Sequence, residues 1–362
     1  MYKAGKPDLL RIARQLRGLQ QGQAAQELEL SQAMLSRVEN HLSPFGVDLI
    51  ERAAAVFRIP YAFFLQEDTV LGAPVSVHPM WRKKAAVAVR DIDQIVAELN
   101  VRVMHLRRLL RAVEIETPYS IPSLPVEDYE GNVEKIAALV RAQWQLPPGP
   151  IPNLTRTLEA AGIVIAHSGM AGSAVDGVTF SAPGLPSLII LNVKQPADRM
   201  RFTLAHELGH LVMHRTQPTP LMENEANDFA SFFLMPTRDI RPYFTRRVDL
   251  RLLAELKPVW RTSMASLLMR ARSLGLLTPN QERYLWQQFS AARIRQAEPA
   301  ELELAQEPPA SLLDLIQTHV QRLGYSISNL AELLHIHPDD LGILYGLNAP
   351  VQNKGPNLRL VK

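Results

Sequence analysis

A multidomain, mostly α fold is predicted from three features of the sequence. The N-terminus carries an all-α helix-turn-helix pattern. The centre is α+β, with a small sheet and a helix bearing the pattern H-E-x-x-H. The end is a small C-terminal helical unit. At 362 residues the chain exceeds what one core usually serves. Apolar residues make up 47% and charged residues 21%, which suits a folded globular protein and excludes wholesale disorder. No apolar run approaches the ~18–20 residues that span a bilayer, so no membrane partner is expected. The first turns carry charges from Lys3 to Arg17 and lack the apolar core of a secretory signal. Cysteine is absent, which excludes disulfides, thiolate metal sites and a Cys nucleophile, and fits a reducing cytoplasm.

Residues 1–68 read as short amphipathic helices. One runs through Gln23 to Leu28, a turn follows at Glu29-Leu30, and a second helix runs from Ser31 to Asn40. Ser31 is a good N-cap. Ala25, Leu30, Leu35 and Val38 have the spacing that packs two helices at a sharp angle. Leu49, Ala53, Val56, Phe57, Phe63 and Phe64 close the small core. In a reader of double-stranded DNA the second helix enters the major groove. Gln32, Ala33, Ser36 and Arg37 then reach bases or phosphates, with Gln21 and Ser31 at the helix starts. A protein-interaction module of the same shape is the alternative. Eight Lys/Arg balance eight Asp/Glu over these residues, so phosphate contacts are few for a single copy. A homodimer would double them.

Residues 69–130 read as a basic helical connector. Residues 69–79, with Gly72, Pro74 and Pro79, form a linker, a helix spans 81–117, and Pro118, Pro122 and Pro125 mark a second linker. Arg82, Lys83, Lys84, Arg90, Arg102, Arg107, Arg108 and Arg111 outnumber Asp91, Asp93 and Glu98. Such a segment is either a positive arm along DNA or a connector whose Ile92, Ile95, Val96, Leu99, Val103 and Leu106 form a buried stripe.

Residues 131–240 hold the α+β portion. Helical periodicity from Val133 to Gln145 stops at Pro147-Pro148-Gly149-Pro150, and a second helix covers Leu154 to Ala161. Ile163–Ile165, Val178–Phe180 and Ser187–Leu191 are strands, the last two antiparallel. The helix after them contains His206-Glu207-Leu-Gly-His210. Histidines at i and i+4 share a helix face, so both imidazoles reach one ion. The intervening glutamate can take a proton from a water that zinc has acidified. His214 lies two turns from His206, about 12 Å along the axis at ~1.5 Å per residue, so one straight helix cannot close all three on an ion. A second helix must supply the third ligand. Glu223 and Glu225 are its candidates. Glu223 shares a face with Asn227, which can hydrogen-bond a ligating imidazole, whereas Glu225 points toward the side of Phe229 and Phe232. The facing argument favours Glu223.

Two histidines and a glutamate leave an open position on zinc, as hydrolysis requires, and peptide hydrolysis is the usual use. Strand Ser187–Leu191 is either a sheet edge to which an extended peptide adds or ordinary core. His214, Tyr243 and Arg199 are candidates for stabilising an oxyanion. Residues 241–295 form a helical extension. Residues 296–310 read as an acidic linker, residues 311–347 as a small helical unit, and the last fifteen residues as a loose tail.

The first 64 residues resemble the Xre/Cro-type helix-turn-helix family in G-L-x-Q…A…L-S-Q-x-x-L-S-R-V-E, with Glu29 at the turn position that is usually Gly. Residues from about 130 to 290 look like the ImmA/IrrE metallopeptidases. Arg201-Phe-Thr-Leu-Ala-His206-Glu207-Leu-Gly-His210 and Glu223-x-x-Ala226-Asn227-x-Phe229-Ala230, ending Leu234-Met235-Pro236, carry that likeness. It implies a zincin-like fold, Zn2+ held by His206, His210 and Glu223, and Glu207 as the catalytic base. It also implies cleavage of a helix-turn-helix repressor that releases stress or mobile-element genes. Thr262–Gly275 is similar to the family's helix-turn-helix-like portion. Gly324–Ile336 resembles the opening of an Xre-type unit, but the following helix offers Asp339 and Asp340 and no cation, as a protein-contact module would. The alternative function is a DNA-binding regulator whose peptidase-like domain senses a signal or partner.

Overall fold

The computed structural model describes residues 4–71, 88–169, 175–214, 219–295, 297–345 and 357–361. The basic residues at 82–84 and most of the 69–79 linker lie outside them. The N-terminal unit comprises α1 (Pro7–Leu16), α2 (Gln21–Glu27), α3 (Gln32–Glu39), α4 (Val47–Phe57) and a 3-10 turn (Tyr61–Leu65). Ser31 caps α3, its Oγ accepting from the Met34 N–H at 3.1 Å. Glu29 takes a φ of 54°, the left-handed region that favours glycine, which explains why the usual residue of this turn is Gly. Leu9, Leu10, Leu35, Ile50, Phe57 and Phe64 are fully buried between these helices. Arg14 and Glu39 cross that core as a two-pronged ion pair at 2.6 and 3.0 Å, which joins α1 to the end of α3.

Helix α5 (Val89–Leu109) ends earlier than its periodicity predicts, because Val113–Glu116 is strand β1. The stripe reading of this segment holds on both sides of the helix. Ala97, Val101 and Met104 enter the core of the N-terminal unit. Ile95, Leu99, Val103 and Leu106 enter a second core beneath the central sheet. Three of its four arginines are tied down, and Arg90 is exposed. Arg102 and Arg108 are buried, Arg102 pairs with Glu98 at 2.8 Å, and Asp68 receives both Arg107 and Arg108.

Helices α6 (Val133–Gln143) and α7 (Leu154–Ala160) precede the central sheet of β2 (Val164–Ser168), β3 (Gly177–Phe180) and β4 (Leu188–Asn192). The order is β2-β4-β3, with β2 parallel and β3 antiparallel to β4. The antiparallel expectation for the last two strands holds. The edge reading of Ser187–Leu191 does not: β4 is central, and all five of its residues are buried. Ile189 and Leu191 face one core, Leu188 and Ile190 the other. Among the described residues β2 and β3 each pair only with β4, so both are edges of this sheet.

Behind the sheet lie α8 (Ala197–Met213) and α9 (Met222–Leu234), then α10 (Thr237–Ile240), α11 (Leu250–Trp260), α12 (Met264–Ser273) and α13 (Pro279–Ala291). One continuous core runs from Val126 to Phe289, so the extension after α9 packs with the sheet and α8. The acidic segment that follows is a docked strap. Glu298 and Asp198 both hold the buried Lys257 at 2.6 Å. Glu307 pairs with Arg201 of α8 and accepts from the Thr155 N–H at 3.0 Å. Glu159 accepts from the N–H groups of Ala310 and Ser311 at the start of α14 (Ser311–Gln321). The C-terminal unit continues with α15 (Ile327–Leu334) and α16 (Pro338–Tyr345). The tail is not loose throughout: β5 (Asn357–Leu360) pairs antiparallel with β1.

Candidate metal centre

Helix α8 is buried along nearly its whole length, with His206, Glu207 and His210 on the face toward α9 and β3. The two helices approach closely because their facing residues are small. A Cβ on Gly209 would stand 3.1 Å from the Phe229 ring and 3.3 Å from the Ala226 Cα. That approach brings Glu223 to the two imidazoles. His206 Nε2 and His210 Nε2 are 3.0 Å apart, and the Glu223 oxygens stand 3.6 Å from each. Zinc ligands at ~2.0–2.1 Å in a tetrahedron are about 3.3 Å from one another, so this donor set fits a zinc-sized ion. Among the described residues it is the one His/Asp/Glu group compact enough to hold a metal, with all ligand atoms within 4.8 Å.

The far side of each ring is engaged. His206 Nδ1 lies 3.0 Å from Asn227 Oδ1, the partner the sequence suggests. His210 Nδ1 lies 2.8 Å from His214 Nδ1, and His214 Nε2 lies 3.0 Å from Glu225 Oε2. Glu225 therefore does not stay on the side of Phe229 and Phe232; its longer reach carries the carboxylate back to α8. His214 meets His210 on the edge opposite Nε2, so its place is not that of an oxyanion donor. Arg199 is held by Asp176 at 2.8 Å, and Tyr243 packs edge-on against Trp260.

Burial lowers the His210 pKa well below its ordinary value, with His206 and His214 adding to the effect, so the ring is neutral and fit to ligate. Glu207 is pushed up to about 7 by burial. The Thr179 hydroxyl opposes that shift and Glu223 reinforces it. Thr179, on edge strand β3, donates to Glu207 Oε2 at 2.5 Å. Sequence reasoning missed this residue, because its partner lies 28 positions away on another element.

On the N-terminal unit, Ser31, Gln32, Ala33 and Arg37 are exposed and Ser36 is half-buried, so the outer face of α3 is open to a partner. Arg37 donates to Ser43 Oγ at 3.2 Å. Gln21 is turned inward and donates to Glu39 Oε2 at 3.0 Å, which braces α2 against α3. In the C-terminal unit, Asp340 stands 4.0 Å from Arg17 at the end of α1.

Among the described residues, no helix is long and apolar enough to cross a membrane. No curated protein matches the chain. Residues 10–64 match the family model described as Helix-turn-helix. Residues 158–272, which contain the His206–Glu223 cluster, match a peptidase family model described as the IrrE N-terminal-like domain. The chain thus joins a helix-turn-helix domain of the DNA-binding kind to an IrrE/ImmA-like metallopeptidase domain.

Proposed function

We propose that this chain is a cytoplasmic, zinc-dependent endopeptidase that cleaves a helix-turn-helix transcriptional repressor. Its own helix-turn-helix domain targets it to DNA or regulates its synthesis. The carrying observation is the meeting of His206, His210 and Glu223 around one point, with Glu207 beside them. These three residues would hold the ion. Zinc there supplies Lewis acidity and a water acidified to a pKa near 7. Glu207 has one oxygen held by Thr179. Its other oxygen accepts the proton of the attacking water and later delivers it to the leaving amine. Because β3 is an edge strand and its Thr179 touches Glu207, an extended substrate segment adds to β3 rather than to Ser187–Leu191. Such a site reads locally unfolded segments, such as a repressor linker.

Tethering on DNA would raise the effective concentration of a repressor bound nearby. The test is incubation of zinc-loaded protein with a repressor encoded beside it. Cleavage by the wild type, lost in Glu207→Gln with zinc retained, is the expected result. Cleavage that survives Glu207→Gln would sink the assigned base.

A second reading is a DNA-binding regulator whose peptidase-like domain senses a signal. The sharing of α5 between the N-terminal core and the core under the sheet favours it, because a change in one is felt by the other. A chain that shifts a specific operator in a gel, yet cleaves nothing with zinc bound, would support this reading over the first.

A further inference from the structure

Glu225, His214 and His210 form a chain of contacts that ends at the metal-facing nitrogen. His210 Nδ1 and His214 Nδ1 are 2.8 Å apart, and His214 Nε2 is 3.0 Å from Glu225 Oε2. The His214 side chain is only 6% exposed, so water does not substitute freely for either contact. A close contact between two ring nitrogens needs one proton, carried by one of them. If His214 carried it on Nδ1, its neutral ring would turn a lone pair toward the Glu225 carboxylate. His210 would then hold its own proton on Nε2, where the ion must bind. If His210 carries it, every contact is favourable. His210 Nδ1–H donates to His214 Nδ1, His214 Nε2–H donates to Glu225, and the His210 Nε2 lone pair faces His206 and Glu223. The carboxylate, three contacts away from the ion, thereby selects between the two states.

We propose that Glu225 and His214 are a positioning pair that fixes His210 in its metal-ligating tautomer and sets how tightly zinc is held. The proposal rests on zinc binding at His206, His210 and Glu223. His206 gets the same service in one step from the Asn227 amide oxygen. His210 has no such amide and uses an imidazole as a relay to a charged acceptor, which also increases the electron density on the ligating ring. The pair bridges the end of α8 and the first turn of α9, so a merely mechanical link between the helices is the competing role.

Chelator competition measures zinc affinity in the full-length chain and separates the two roles. Loss of a partner behind a ligating imidazole weakens metal binding by about 10–100-fold. Glu225→Ala and His214→Leu are expected to show that loss, while the melting temperature of their metal-free forms stays at the wild-type value. His214→Gln places an amide oxygen where His210 Nδ1–H can donate and is expected to recover most of the affinity, although it breaks the link to Glu225. Nitrogen-15 spectra of the zinc-loaded wild type should show His210 protonated at Nδ1. Wild-type affinity in both Glu225→Ala and His214→Leu overturns the proposal, as does equal loss in His214→Gln and His214→Leu. Failure of the wild type to bind zinc, or zinc binding that survives His210→Ala, overturns the metal reading itself and the pair with it.

Discussion

Glu207 sits between opposed influences, and Thr179 decides how they balance. Burial drives the carboxyl toward its neutral form, and the hydroxyl at 2.5 Å favours the charged form that accepts a proton. A hydrogen bond to a charged group is worth about 1.5–3 kcal/mol, or roughly 10–100-fold in rate where it orients a reacting group. Thr179→Val keeps the shape and removes the donor. Its cleavage rate should fall by about that factor with zinc content unchanged, and Thr179→Ser should restore most of it. A Thr179→Val enzyme as fast as wild type would show that the hydroxyl is idle. The residues of this cluster differ in how much the sequence reveals of them. His206, Glu207 and His210 are legible because a helix turns their spacing into a shared face, and Glu223 because it repeats that logic one helix later. Thr179 and the Glu225–His214 contact are not, since each depends on how two elements meet in space.

The meeting of α8 and α9 is an element-scale property with Gly209 at its centre. A side chain there must displace the Phe229 ring or the Ala226 backbone, 3.1 and 3.3 Å from its Cβ. Gly209→Leu should separate the helices and carry Glu223 away from the imidazoles. Overpacking of this kind costs about 1–3 kcal/mol. The expected outcome is a lower melting temperature together with sub-stoichiometric zinc, and Gly209→Ala should be milder in both. Full zinc occupancy in Gly209→Leu would mean that the ligands do not depend on this approach. The same scale explains the strand order. Leu188 to Leu191 is an unbroken apolar run, as suits a strand covered on both faces, and it separates two cores. The run itself does not tell which strand lies beside it; the parallel pairing with β2 puts β4 at the centre. The helix expected to reach residue 117 fails for a similar reason, because β1 exists through its pairing with β5, more than two hundred residues later.

At the scale of the whole molecule, charges that look solvated in the sequence are its clasps. The strap from Glu298 to Glu307 reads as acidic linker because its partners, Lys257 and Arg201, are distant in the chain. Arg201 belongs to the helix that carries His206 and His210 and is 3% exposed. Removing Glu307 leaves a buried cation without its counter-ion, a change that costs about 3–5 kcal/mol. Glu307→Ala should therefore lower the urea midpoint sharply, and a shift below about 1 kcal/mol would mean that the strap is not tightly docked. The other clasp is α5, which serves two cores and presents His105 to the Tyr345 hydroxyl at 2.6 Å. The burial of His105 gives the fold a dependence on pH. Burial, with Arg108 and Arg102 nearby, lowers the His105 pKa from 6.5 to about 3, and burial likewise lowers that of His167 to about 4. In the folded chain these rings stay neutral while the unfolded chain takes up protons below pH 6.5. Their contribution is therefore complete above 6.5 and is lost as pH falls toward the folded values. For His105 alone the loss between pH 6.5 and 5 is about 2 kcal/mol, at ~1.4 kcal/mol per unit. His105→Gln offers the Tyr345 hydroxyl an acceptor that does not titrate. Urea unfolding across this range should show wild-type stability falling with acidity and a flatter profile for the variant. Parallel profiles for the two proteins would show that the ring is protonated in the folded state and that α5 and α16 are not closed over it.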